Sequence, residues 1–207
     1  MAQYFELHPT NPQPRLIRRA ADIIREGGVI AYPTDSSYAL GSAIGNKQGV
    51  DTIRRIRALG DDHNFTLVCQ ALSDIGVYAK FDNPTFRLIK ACTPGPYTFI
   101  LPASKEVPRR LQHAKRRTIG IRVPEFPIVK LLLEELGEPI MSSTLMLPGN
   151  DFPENDAVDI RDRLEQELDL VIDGGISDIE PTTVVDMSGG SVEILRHGKG
   201  DTSPFEQ

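Results

Sequence analysis

The segment PQPRLIRRAADIIREGGVIAYPTDSS, residues 12–37, decides the fold class. Pro14 suits the first turn of a helix, where its missing N–H would have no partner anyway. Leu16, Ile17, Ala20, Ile23 and Ile24 follow at helical spacing and form one apolar face, which Gly27 and Gly28 bring to an end. The run VIAYP then reads as a short buried strand, and four polar residues, Thr34 to Ser37, close it. Helix, strand, polar turn is the grammar of an α/β protein.

The same grammar extends outward. Helical patterns cover residues 50–59, 83–92, 127–137 and 155–168, with a shorter helix at 73–79 that Ser73 caps. Strand patterns cover 65–69, 97–101, 117–124, 138–143, 169–173, 182–187 and 191–196. Helices and strands are intermingled without strict alternation, which predicts one α/β domain over residues 1–207, core about 14–201, with a twisted mixed sheet and surrounding helices. At 207 residues, 40% of them hydrophobic, the chain can bury a substantial core. No apolar run approaches the ~18 residues that span a bilayer. The first residues lack the basic and apolar regions of a signal peptide. These features predict a soluble cytoplasmic protein with no membrane partner. Cys69 and Cys92 lie outside metal-type spacing and the four histidines are scattered, so no metal site is expected.

Net charge is −6, but its distribution is uneven. Between Glu134 and Glu180 there are fourteen acids and two bases, which leaves the remainder of the chain net positive. Much of that excess lies in SKEVPRRLQHAKRRTIGIRVP, where Lys105, Arg109, Arg110, Lys115, Arg116, Arg117 and Arg122 face one acid, Glu106. A focused cationic patch steers polyanions; a solvated basic loop has the same composition.

Nucleotide and hydrolase signatures of the GxxxxGK[ST], GxGxxG, HExxH and GxSxG kinds are absent. Polar residues at strand ends carry the chemistry instead. Thr34 and Asp35, just past a strand's carboxyl end, can line a ligand crevice, or serve as ordinary turn residues. Arg57, on the last turn of its helix, and His63 beyond it can meet an anion; a terminal arginine also complements the helix dipole. Arg122 ends a strand otherwise made of isoleucine and valine, so it needs a partner: a phosphate, a carboxylate ligand or a buried acid. Ser142, Ser143 and Thr144 offer three hydroxyls in PIMSSTLMLPG.

Taken in order, YPTDSSYALG, TPGPYTFIL, TIGIRVPEFP, PIMSSTLMLPG, PTTVVDM and EILRHGKGD resemble the YrdC-like family, nearest its YciO branch, from about Leu16 to Asp201. The resemblance implies an α/β fold with a concave cationic face. It also implies a nucleotide-dependent transferase that makes threonylcarbamoyl-adenylate from L-threonine, bicarbonate and ATP with Mg2+, for tRNA modification. The alternative it carries is a non-catalytic protein that binds tRNA or double-stranded RNA in the concavity, with Lys105, Arg109, Arg110, Lys115, Arg116 and Arg117 as RNA contacts. By position, Thr34 would help hold the amino acid and Arg122 would contact substrate and phosphate, while Arg196 matches a recurring arginine near the end of the domain. Ser143 and Thr144 would fall on the loop that faces the nucleotide, and Asp35, Arg57 and His63 are further candidate substrate or nucleotide contacts. Two departures stand out. The synthases carry Lys-x-Arg-Pro where this chain has RALG, with Arg57 at the lysine, Leu59 at the arginine and Gly60 at the proline. They also carry Ser-x-Asn where this chain has Thr144-Leu145-Met146. The resemblance further implies that longer family members append a second domain, for which this chain has no room.

Overall fold

A computed structural model describes residues 1–60 and 62–206. The described residues form one sheet of ten strands with six α-helices. In chain order the strands are β1 (Gln3–Glu6), β2 (Ile30–Tyr32), β3 (Ala39–Ala43), β4 (Thr66–Val68), β5 (Tyr97–Pro102), β6 (Thr118–Arg122), β7 (Ile140–Thr144), β8 (Leu170–Asp173), β9 (Thr183–Asp186) and β10 (Glu193–Arg196). The helices are α1 (Pro14–Arg25), α2 (Lys47–Arg57), α3 (Leu72–Tyr78), α4 (Asn83–Ala91), α5 (Pro127–Leu136) and α6 (Ala157–Leu164). Across the sheet the order is β1-β8-β2-β3-β7-β4-β6-β5-β9-β10. Four pairings, β1–β8, β8–β2, β4–β6 and β5–β9, are parallel and the rest antiparallel, as the mixed sheet predicts.

Two apolar layers flank the sheet. On one face α1 and α5 pack together, and Ile17, Ile24, Leu132 and Leu133 bury against Ile30, Leu170 and Ile172. On the other, Val50 and Ile53 of α2 and Ile160 of α6 join a larger cluster with Leu40, Leu67, Phe99 and Ile121. Burying each such side chain is worth about 1.5–3 kcal/mol, so the helical faces read from spacing are the ones that hold the layers. The approach of α2 to β3 depends on Gly49, because a Cβ there would lie 2.3 Å from the Ser42 hydroxyl.

Two strands escape the sequence pattern. β1 is four residues long and pairs only with β8 at the sheet edge, too short to show an alternation. β3, ALGSA, carries small residues because Gly41 lies between the Ile140 side chain and the Tyr32 ring. The start of α3 also differs from expectation. Ser73 lies inside the helix, and the Asp74 carboxylate caps it by accepting from the Gln70 and Ala71 N–H groups, each at 3.1 Å.

Candidate functional site

The neighbouring strands β4, β6, β5 and β9 share a face that is the floor of a cavity of about 550 Å³. Thr66, Gly120, Thr98, Ile100 and Val184 pave it, and Ser143 and Thr144 line it from the end of β7. Gly120 keeps the floor open: a Cβ there would fall 2.8 Å from Thr66 Oγ1 and 3.1 Å from the Phe65 carbonyl.

The end of α2 supplies one wall. Ala58 turns into the left-handed region at φ 51°, and this stops the helix directly after Arg57. The turned chain brings Arg57 and His63 to one hydroxyl. Arg57 donates to Ser143 Oγ at 2.6 Å and to the Met146 carbonyl at 3.2 Å, and Ser143 Oγ lies 3.3 Å from His63 Nε2. Arg196, at the end of β10, donates to the Thr182 carbonyl (2.9 Å) and hydroxyl (3.0 Å). The Thr182 hydroxyl in turn sits 2.9 Å from that of Thr98.

A small recess of about 20 Å³ shares Thr66, Thr98, Ser143 and Thr182 with the cavity and reaches Arg122. Arg122 is buried at the end of β6. Its guanidinium forms an ion pair with Asp35 and donates to Ser36 Oγ at 3.0 Å and Thr34 Oγ1 at 3.3 Å. The other Asp35 oxygen accepts the Glu125 N–H at 2.8 Å. Among the described residues, Arg122 Nε is buried with no hydrogen-bond partner.

The electrostatics divide these arginines. Burial pushes the Arg57 pKa down to about 10, helped by the positive charge of Arg196. Arg196 is lowered by burial and by the charge of Arg122. Among the described residues neither Arg57 nor Arg196 pairs with a carboxylate; their partners are hydroxyls and carbonyls. Burial, followed by the charges of Arg57 and Arg54, pushes His63 down to about 4, so the ring is neutral near pH 7.

Of the residues singled out in the sequence, Arg57, His63, Ser143, Thr144 and Arg196 all line the cavity, and Arg122 lines the recess. Thr34 and Asp35 reach the site through Arg122. Ser142 also lines the recess, and its hydroxyl is tied to the Tyr32 hydroxyl (2.7 Å) and the Leu40 carbonyl (3.0 Å). The basic run is split. Arg122 is buried, whereas Lys105, Arg109, Arg110, Lys115, Arg116 and Arg117 are exposed on the β5–β6 connection and line neither cavity nor recess. Arg116 pairs with Asp186 at 2.7 Å and Arg110 donates to the Gly45 carbonyl. The other loop cations stay in water, because among the described residues no carboxylate pairs with them to repay desolvation. Thr66, Thr98, Thr182 and Phe152, also at the cavity, were not singled out from sequence. The signal for the first two was a lone polar residue on an apolar strand.

The mixed ten-stranded sheet superposes on the fold of YciO and Sua5 proteins. Residues 22–198 match the Sua5/YciO/YrdC family model, described as telomere recombination, and the chain belongs to that family. It is 55% identical to YciO of Escherichia coli, whose crystal structure superposes with a TM-score of 0.97 over 99% of this chain and all of that one. It is 32% identical over 184 residues to the threonylcarbamoyl-AMP synthase of Coxiella burnetii, covering 87% of this chain and 96% of the relative. Sua5 of P. abyssi complexed with L-threonine superposes with a TM-score of 0.86 at 27% identity, over 94% of this chain and 57% of that chain. No helix among the described residues is long and apolar enough to cross a membrane.

Proposed function

We propose that the cavity binds a nucleoside triphosphate or the adenylate made from it, and that the protein is a nucleotide-dependent transferase related to the threonylcarbamoyl-AMP synthases. One observation carries this reading. Three guanidiniums converge on one cavity and its recess, and among the described residues only Arg122 has a carboxylate partner. Two desolvated cations that repel each other favour an anion placed between them. Phosphates against Arg57 and Arg196 satisfy that demand, with the Ser143 and Thr144 hydroxyls as neutral donors. His63, neutral at working pH, adds no third positive charge beside Ser143. The unpartnered Arg122 Nε, on the guanidinium whose terminal nitrogen contacts Thr34, is matched to the carboxylate of an amino acid such as L-threonine. Sua5, a relative, is complexed with that amino acid.

The guanidiniums' chemical task is to neutralise charge on the phosphates as pyrophosphate leaves the α-phosphorus. Mg2+ enters with the triphosphate as part of the substrate. Asp62 and Asp151, in the cavity lining, offer the hard oxygen donors it prefers. Leu59 and Met146, standing where synthases carry arginine and asparagine, leave fewer donors and predict slow turnover. Calorimetry with Mg·ATP, inorganic tripolyphosphate and L-threonine tests the reading, beside pyrophosphate release with ATP, bicarbonate and L-threonine. ATP and tripolyphosphate are expected to bind, tenfold or more weakly in Arg57→Gln and Arg196→Gln. Absence of both binding and pyrophosphate release overturns it.

A second ligand is favoured by a separate observation. Lys105, Arg109, Lys115 and Arg117 are exposed on one connection, and among the described residues none has a carboxylate partner. We infer that this loop contacts the phosphate backbone of tRNA or double-stranded RNA outside the cavity.

A further inference from the structure

We propose that Phe152 is the base-recognition residue of this site: its ring stacks on the nucleobase of a nucleotide whose phosphates lie against Arg57 and Arg196. The inference rests on the anion-binding reading of the cavity and names the part of the ligand that reading leaves open. Phe152 lies in the β7–α6 connection and lines the cavity. It is 60% exposed, the one aromatic among the large hydrophobic side chains that the described residues leave exposed.

The connection is a built loop. The Glu154 N–H donates to the Leu145 carbonyl at 2.8 Å, closing residues 145–154 into a ring of chain, and the Glu154 carbonyl accepts the Tyr38 N–H at 3.3 Å. The Glu154 carboxylate, itself buried, accepts from Asn150 at 2.8 Å and pairs with Arg163 at 3.0 Å. Gly149, at φ +84°, makes the reversal. A loop so tied buries Pro153 and Glu154 and yet leaves its largest apolar side chain outside, beside the cavity. Burying a carboxylate while exposing a phenyl ring inverts the usual order of preference. A planar ligand covering the ring removes the inconsistency.

The remaining lining agrees. The same loop contributes Met146 and Pro153, together with the Asp151 carboxylate, whereas the guanidiniums come from α2 and β10 and the hydroxyls from β4, β5, β7 and Thr182 before β9. The cavity therefore has an apolar flank for a base and a cationic flank for phosphates. Met146, at the position of the synthases' asparagine, belongs to the apolar flank, so an amide hydrogen bond there gives way to contact with a soft, polarizable side chain. Stacking area favours purines over pyrimidines, because the ring can cover more of a bicyclic face.

The chain contains no tryptophan, so Phe152→Trp adds a sole fluorophore of that kind at the site. The full-length wild type, Phe152→Ala and Phe152→Trp are titrated with Mg·ATP and with inorganic tripolyphosphate. Loss of a base stacked on an aromatic ring weakens binding about five- to 150-fold. Phe152→Ala is therefore expected to weaken ATP by that factor and to leave tripolyphosphate within twofold. Phe152→Trp is expected to hold wild-type ATP affinity, with fluorescence that ATP quenches and tripolyphosphate does not. Equal effects of Phe152→Ala on the two ligands, or an indole signal from Phe152→Trp that is indifferent to ATP, overturn the inference. In that case the cavity reading survives if tripolyphosphate binding still depends on Arg57 and Arg196. If wild type binds neither ligand, that reading falls, and this one with it.

Discussion

The cavity and the β5–β6 connection are both basic, and they use charge in opposite ways. The connection holds six cations, all exposed, and two of them are already engaged with neighbouring groups. The cavity and recess hold three arginines, each desolvated, and among the described residues only one of these has a countercharge. A cation in water interacts weakly at close range, whereas a desolvated one interacts several times more strongly. The comparison teaches that cation density along a sequence is a poor guide to a ligand site. The guide is a cation that the fold withdraws from water without a carboxylate.

The strongest break in that comparison lies inside the site. Arg122 and Asp35 are a buried pair, so Arg122→Ala leaves a carboxylate stranded and is expected to cost about 3–5 kcal/mol in urea unfolding. Arg122→Ala with Asp35→Ala should cost less than the single change, because no charge is then left alone. Arg57→Ala removes a cation held at a desolvation cost, and its loss is expected to stay under about 1 kcal/mol. Equal costs at Arg57 and Arg122 would erase the distinction between the paired and the unpaired guanidinium.

His63 gives a smaller, pH-dependent effect. Its folded pKa of about 4 lies below the ordinary 6.5. As pH falls below 6.5 the unfolded chain takes a proton that the folded one refuses until about pH 4, so stability is lost across that window. The span corresponds to at most about 3 kcal/mol, reduced by whatever water reaches the ring. His63→Gln is expected to flatten that limb when unfolding free energy is measured from pH 7 to 4. Because Arg57 contributes to the shift, saturating tripolyphosphate should flatten it too. An identical acid limb in wild type and variant would show that the ring is solvated.

Much of this was legible in the sequence, for definable reasons. α1, α2 and α5 each bury a face at helical spacing, and β4, β6 and β8 are apolar runs too short to be helices, so pattern and packing agree. β3 was not legible, because its small residues answer to the Tyr32 ring across the pair rather than to any alternation. Arg122 declared itself as a charge ending an apolar strand, but its partner could not be chosen among many acids, since Asp35 is 87 positions away. The basic run misled for the complementary reason. Seven cations close together in sequence divide between one buried strand end and a solvated connection, and burial is a property of the fold. Phe152 carried no signal, because a lone aromatic in a polar loop is ordinary until a cavity is found beside it.

The smallest effect on stability is expected at the connection, and there the comparison is sharpened rather than broken. Lys115→Glu with Arg117→Glu changes only exposed side chains and should move the unfolding free energy by no more than about 0.5 kcal/mol. Tripolyphosphate affinity should also hold at low salt, since neither residue lines the cavity. Affinity for double-stranded RNA is expected to fall steeply with salt in the wild type. Charge reversal should reduce the log–log slope by about one for each phosphate the loop no longer neutralises. If reversal instead weakens tripolyphosphate while RNA binding keeps its slope, the loop serves the cavity by long-range attraction and RNA is not its ligand. If RNA binding and its slope both collapse while tripolyphosphate is untouched, the two basic regions are two sites, one built by desolvation and one by charge exposed in number.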